Sequence, residues 1–136
     1  MTGSWVLDLK GSDSVDDILS AQGVGWAKRK IVTSLNVTDT IGVAGDKVTI
    51  AKETSVKSFS EVFTVGVEED VEDDIAGKAK RLVTVTPEKI VVELKGSDGN
   101  KVVNTRFLQG NRLVLDILFT DAKGKTINKK RYFDKK

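Results

Sequence analysis

Cysteine and histidine are both absent from the 136 residues of this sequence. Without cysteine there is no disulfide framework and no catalytic thiol. Without histidine the chain lacks the commonest general base and the commonest metal-binding side chain, which excludes a Ser-His-Asp triad and a histidine-rich zinc site. We therefore expect neither a metal nor a cofactor. Carboxylates, lysines and hydroxyls remain, so the inventory alone leaves other kinds of catalysis open.

Excess charge and long apolar runs are also missing. The 22 basic and 20 acidic residues leave a formal net charge of +2, which is not the composition of a basic nucleic-acid-binding domain. No apolar run approaches the ~18 residues of a membrane-spanning helix, and the opening MTGSWVLDLKGSD lacks the basic and apolar regions of a signal peptide. We expect a cytoplasmic protein, with a nuclear location also open, that does not bind nucleic acid.

The first third of the chain combines one strand with two helices, within a length that fits a single domain over residues 1–136. Trp5, Leu7 and Leu9 alternate with other residues, which predicts a strand. Apolar residues then recur at helical spacing across about 15–35, interrupted by a Gly-Val-Gly string. This pattern predicts a helix-turn-helix directly after the first strand.

The rest of the chain, after Asn36, consists of short runs rich in Val, Thr and Ile with turn signals about every 8–12 residues. We count about ten strands, and the single proline, Pro87, falls between two of them, where its missing N–H group does no harm. The pattern predicts an all-β fold, an antiparallel meander that closes into a barrel or packs as a sandwich. Two short helices cannot form the core of ten strands, so we interpret the fold as a ten-stranded antiparallel up-and-down β-barrel capped by the helix pair. A barrel of this size can enclose a cavity.

An arginine lies inside a predicted strand in the string NTRFLQGNRL, residues 104–113. Arg106 shares one strand face with Val102, Asn104 and Leu108, and alternation alone does not show which face is interior. A buried charge is costly unless it is paired. The pattern by itself favours a solvent-facing arginine, because long charged side chains are mostly exposed with their stems on apolar neighbours.

Five strings in chain order resemble the intracellular lipid-binding proteins, which are the fatty-acid-binding proteins and their retinoid-binding relatives. The strings are GSW (3–5), VDDILSAQGVGWAKRKI (15–31), GDKVTIAKETSVKSFSEVFTVGVEE (45–69), TRFLQGNRLVL (105–115) and RYFDK (131–135). The resemblance covers nearly the whole chain. It implies a clam-shaped barrel that holds one fatty acid, retinoid or similar amphiphile and acts as a carrier, not an enzyme. We expect this carrier to be a monomer.

The resemblance also implies a site for the ligand carboxylate, formed by two arginines and a tyrosine of an R-x-Y element on the late strands. The first arginine falls on Arg106, which would then face inward and pair with a ligand rather than with this chain. The second falls on Arg131 when RYFDK is matched without a gap, and Phe133 then occupies the tyrosine position without a hydroxyl. A shift of one residue would instead place Lys130 and Tyr132 on that face.

A portal to the cavity is expected near the second helix and the following hairpins. Its candidate lining residues are Trp26, Ile31, Val32, Val56 and Phe59. The alternative for these residues is ordinary packing of the helix on the barrel, because apolar stripes usually belong to the core.

A basic run on the second helix, Lys28, Arg29 and Lys30, is a candidate contact with anionic membrane. The alternative is a solvated helix face without a partner.

The leading functional hypothesis is an intracellular carrier that solubilises a long-chain fatty acid or similar hydrophobic carboxylate. The alternatives are a carrier for a retinoid or another lipid with different head-group chemistry, or a small-barrel enzyme that modifies lipids. A binding module that uses the sheet surface is a further class, but it needs an exposed aromatic or basic face. Aromatic residues make up only 6% of this chain, which disfavours that class.

Overall fold

Ten strands form along the chain in the computed structural model, which describes residues 1–136. The strands are β1 (Gly3–Leu7), β2 (Val37–Ala44), β3 (Lys47–Thr54), β4 (Ser58–Thr64), β5 (Glu69–Asp73), β6 (Gly77–Val85), β7 (Lys89–Gly96), β8 (Lys101–Gln109), β9 (Arg112–Thr120) and β10 (Thr126–Lys135). Helices α1 (Asp16–Ala21) and α2 (Trp26–Ser34) lie between β1 and β2. The predicted strand number and the helix pair after the first strand are confirmed.

All ten strands belong to one antiparallel sheet with the order β4-β3-β2-β1-β10-β9-β8-β7-β6-β5. Strand β1 pairs with β2 on one side and with β10 on the other, so the two ends of the chain meet in the middle of the sheet. Strands β4 and β5 follow each other in the chain but lie at opposite edges of the sheet. The sheet therefore curls into a clam-shaped up-and-down barrel with a gap between β4 and β5.

Tight turns join most neighbouring strands. Two of them, β2–β3 and β8–β9, begin with Gly45 and Gly110, whose φ angles are +60° and +62°. A positive φ at the first central residue is the geometry of a type II′ hairpin turn, and glycine adopts it without a steric penalty.

The apolar core fills the barrel end that lies opposite the helices. Leu7, Phe133 and Leu113 lie directly opposite one another on β1, β10 and β9, and each is less than 5% exposed. At the other end, α1 buries Ile18 and Leu19, whereas α2 buries no residue. Neither helix has the length and hydropathy needed to cross a membrane.

The middle of the barrel is hollow. Val92, Asn104 and Ile117 form one inward-facing row on β7, β8 and β9, yet each retains partial accessibility. The accessible surface of the protein is 7789 Å², larger than the roughly 7,000 Å² expected for a compact protein of this mass. Both observations indicate an interior surface that side chains do not fill.

An inward-facing arginine bridges the gap between β4 and β5. Arg81 on β6 contacts Glu61 on β4 with an Nη1–Oε2 distance of 2.6 Å and Glu69 on β5 with an Nη2–Oε1 distance of 3.7 Å. Its guanidinium also lies 4.4 Å from the ring centroid of Phe63 on β4. Side chains thus connect the two edges that the backbone leaves unpaired.

We expect Arg81→Gln to loosen this gap. A partly exposed ion pair of this kind contributes about 1 kcal/mol, so amide hydrogens of β4 and β5 should exchange roughly fivefold faster with solvent. Hydrogen–deuterium exchange measured by mass spectrometry tests this, with peptides from β2 as the internal reference. The matched variant Arg112→Gln removes an arginine whose ion pairs involve Asp8 and Asp134 instead. Unchanged exchange of β4 and β5 in Arg81→Gln would show that the bridge does not restrain the gap.

Candidate functional site

Two arginines face the interior in one cross-strand row. Arg131 on β10 lies opposite Leu115 on β9, and Leu115 lies opposite Arg106 on β8. Their strands are separated by one strand, so their backbones are about 10 Å apart and the side chains can converge. Arg106 is only 4% exposed, and Arg131 is partly buried. The inward direction implied for both arginines is therefore the one they adopt.

A carboxylate from the opposite wall of the barrel faces Arg106. Asp39 on β2 is fully buried, and its Oδ2 lies 3.7 Å from Nη2 of Arg106. Lys52 on β3 donates from Nζ to both oxygens of Asp39, at 2.9 and 3.1 Å. The expectation that Arg106 lacks a partner within this chain is therefore wrong. Asp39, Lys52, Arg106 and Arg131 form what we call the interior charge cluster.

Asp39 and Lys52 were not among the residues predicted for the site, although the sequence contains a local signal for each of them. Asp39 shares a strand face with Val37 and Ile41, and Lys52 shares one with Val48 and Ile50. Each is a charge on an otherwise apolar face. That pattern marks an unusual environment, but only the closed barrel places these two charges against Arg106.

Burial dominates the electrostatics of the basic members of the cluster. It lowers the pKa of Lys52, an effect that Asp39 opposes and that Arg106 and Arg131 reinforce. It also lowers the pKa of both arginines, again opposed by Asp39. The Lys52 side chain is 31% exposed, but it faces inward opposite Asp39, so this exposure is to the hollow interior. Three basic groups thus share a single carboxylate.

The two arginines retain unused hydrogen-bond donors. The Nε atoms of Arg106 and Arg131 are buried and have no acceptor within the chain, and Oδ1 of Asn104 on the same inward face has no donor. Buried polar atoms without partners are costly. Two guanidinium donors with an excess of positive charge in an enclosed space form a receptor suited to an anion, above all a carboxylate.

The remaining carboxylate-site candidates lie elsewhere. Phe133 follows the ungapped register and faces inward, but it is 1% exposed and belongs to the apolar core. The side chains of Lys130 and Tyr132 point outward from β10. The ring centroid of Tyr132 lies 5.2 Å from the guanidinium carbon of Arg112 on the outer surface. The shifted register is therefore wrong, since it would require these two residues to face the interior.

Most of the portal candidates are exposed. Val32 is partly buried, whereas Trp26, Ile31 and Val56 are 67%, 54% and 69% exposed. Ordinary helix-to-barrel packing therefore does not describe Trp26 and Ile31. Phe59 is 40% exposed and lies opposite Lys52 across β3 and β4, which places it on the interior face.

The basic run on α2 contributes only two free cations. Arg29 donates to Oδ1 of Asp16 at 3.0 Å and to the carbonyl oxygen of Val24 at 2.8 Å, so it ties α2 to α1. Lys28 and Lys30 are exposed, and Nζ of Lys30 lies 5.0 Å from the ring centroid of Trp26. The guanidinium of Arg29 is therefore engaged within the helix pair, and Lys28 and Lys30 are the exposed cations of the run.

No protein-family model matches this chain. The curated proteins that are similar to it in sequence include the following two. The sodium/calcium exchanger regulatory protein 1 of Doryteuthis pealeii is 30% identical over 97 residues, which cover 71% of this chain and 72% of that protein. The 14 kDa fatty acid-binding protein of Schistosoma mansoni is 28% identical over 120 residues, which cover 88% of this chain and 89% of that protein.

Solved structures share the whole fold. The Schistosoma mansoni fatty acid binding protein in complex with arachidonic acid superposes with a TM-score of 0.84 at 26% identity, covering 99% of this chain and 95% of the other. Human cRBP IV superposes with a TM-score of 0.83 at 27% identity, covering 100% and 98% of the two chains.

We expect Asp39→Asn to lower the free energy of unfolding by about 3 kcal/mol, because it leaves two buried cations without their counter-charge. Urea unfolding followed by tryptophan fluorescence measures this loss. Asp70→Asn is the matched control, since the Asp70 side chain is 85% exposed in a surface ion pair with Lys80, and it should change stability by less than about 1 kcal/mol. Equal losses for the two variants would contradict a stabilising role for Asp39.

Proposed function

Because the chain belongs to the intracellular lipid-binding protein family, we propose that it carries a long-chain fatty acid or a similar hydrophobic carboxylate inside its barrel. The observation that carries this proposal is the pair of unused Nε donors of Arg106 and Arg131 in an interior with more basic than acidic groups. A ligand carboxylate supplies the acceptors and the charge that these guanidinium groups lack.

The interior between the charge cluster and the helices suits an acyl chain. Val92, Leu94, Val102 and Ile117 face inward there and remain partly accessible. Burial of each methylene group against such side chains contributes about 0.8 kcal/mol. The tail therefore supplies most of the affinity, and the arginines determine which head group is accepted.

Head-group chemistry separates the fatty acid from the alternative of another lipid. A retinoid or other lipid with a carboxylate meets both arginines in the same way. An alcohol has no charge to offer and leaves the guanidinium groups without a counter-ion, which is costly inside a barrel. We therefore propose an acidic lipid, and a carrier rather than an enzyme, because the charge cluster pairs Lys52 with Asp39 and contains no hydroxyl nucleophile.

We expect Arg106→Ala to weaken oleate binding about 10- to 100-fold, because charge-assisted hydrogen bonds contribute about 1.5–3 kcal/mol. Oleyl alcohol has the same tail without the carboxylate, so its affinity should change little. Isothermal titration calorimetry measures both ligands. Arg112→Ala removes an arginine from the outer surface of the adjacent strand and should leave both affinities unchanged. Equal losses for oleate and oleyl alcohol in Arg106→Ala would overturn the carboxylate assignment.

For delivery, we propose that α2 touches anionic membranes through Lys28 and Lys30. The support is local: both lysines are exposed, and beside them Trp26 and Ile31 present apolar surface to solvent. Basic and aromatic side chains on one short helix favour binding at a lipid interface. We further propose that the carrier is a monomer in the cytoplasm, with access to the nucleus, and that it contacts membranes transiently.

We expect reversal of both charges, Lys28→Glu with Lys30→Glu, to slow transfer of a fluorescent fatty acid to anionic vesicles severalfold, because each basic residue near such a surface contributes about 1 kcal/mol. Transfer to zwitterionic vesicles should change little, and stopped-flow fluorescence measures both rates. Lys47→Glu with Lys89→Glu makes the same charge change on two exposed lysines beside the β2–β3 and β6–β7 turns, at the barrel end opposite α2. An equal slowing in this control would mean that net charge, and not α2, governs transfer.

A further inference from the structure

The interior charge cluster divides into a satisfied half and an unsatisfied half. Lys52 and Asp39 make two short contacts of 2.9 and 3.1 Å. Arg106 reaches Asp39 only at 3.7 Å, which is an ion-pair distance but longer than a hydrogen bond. The Nε atoms of Arg106 and Arg131 have no acceptor in the chain. Asp39 thus forms hydrogen bonds with Lys52 and only a longer ion pair with Arg106.

Asp39 is also the natural competitor of the proposed ligand. Its carboxylate carries the same charge and geometry as a fatty-acid head group, and it lies beside the guanidinium that the head group needs. A movement of about 0.8 Å would bring it from 3.7 Å to hydrogen-bond distance from Arg106. Such a contact would satisfy Arg106 internally and weaken its attraction for an incoming carboxylate.

We propose that Lys52 is a positioning residue that holds Asp39 away from Arg106 and so keeps Arg106 available to the ligand carboxylate. This inference rests on the proposed function and adds a specificity device to it. Lys52 offsets the cost of burying the Asp39 charge, and at the same time it keeps Asp39 from pairing closely with Arg106. The effect is confined to acidic ligands, because a neutral head group does not compete with Asp39 for Arg106.

A simpler electrostatic role for Lys52 makes a different prediction. If Lys52 only adds positive charge to the cavity, its removal weakens oleate by the same factor whether or not Asp39 is present. If Lys52 acts by restraining Asp39, its removal has no consequence once Asp39 has lost its charge. A double-mutant cycle separates the two cases, since it measures the coupling between neighbouring residues.

The test measures oleate and oleyl alcohol affinities for wild type, Lys52→Met, Asp39→Asn and the double variant by calorimetry. We expect Lys52→Met alone to weaken oleate about tenfold, the size of one charge-assisted contact. In the Asp39→Asn background the same substitution should change oleate affinity less than about twofold, which is the non-additivity of coupled neighbours. Oleyl alcohol should bind all four proteins alike. An equal loss of oleate affinity in both backgrounds would overturn the proposal.

A structure of ligand-free Lys52→Met keeps the proposal testable if Asp39→Asn does not fold. We expect Asp39 to lie within hydrogen-bond distance of Arg106 in that structure, and an unchanged separation would contradict the proposal. Lys47→Met is the matched control, because Lys47 lies on the same strand but on the outer face, bonded to Thr64. Failure of Arg106→Ala to distinguish oleate from oleyl alcohol would instead refute the proposed function itself, so the two failures are distinguishable.

Discussion

Backbone hydrogen bonds between β1 and β10 join the two ends of the chain, and every feature of the interior depends on this pairing. Because β1 lies between β2 and β10, strands from the first and last parts of the chain face each other across one space. Asp39 and Lys52 come from the first part, and Arg106 and Arg131 come from the last. Without the closure these charges would lie on walls that do not meet.

The hollow interior explains how the barrel tolerates a cluster of charges. A densely packed core would impose the full cost of transferring three basic groups out of water. Here Lys52 keeps 31% of its side-chain exposure although it faces inward, and Asp39 offsets part of the remaining charge. The pKa values of Lys52 and Arg106 are nevertheless lowered, and buried donors still lack acceptors. Incompletely paired charges of this kind are typical of binding sites, where a ligand completes the interactions.

Sequence reasoning succeeded where the signal is local. The alternation of apolar residues predicted most of the strands, and the helical spacing after β1 predicted the helix pair, because each pattern involves neighbours only a few positions apart. Strand β5 has the sequence EDVED and no such alternation. The direction of Arg106 came from the resemblance, since alternation alone favoured solvent. The packing alternative does not hold for Trp26 and Ile31, because both side chains are exposed and α2 buries no residue. Arg29 has an ion-pair partner on the preceding helix, which a basic run in the sequence does not reveal.

The sequence by itself determined the strands, their turns, and the absence of thiol and imidazole chemistry, because these follow from residue type and from local spacing. The inward direction of Arg106 and Arg131 was implied only by the resemblance, which left a one-residue shift of the last strand open. Only the tertiary structure decided that Asp39 and Lys52 meet Arg106. Their contact crosses the barrel, and its partners are set by the order and register of all the strands between them, which no local period encodes.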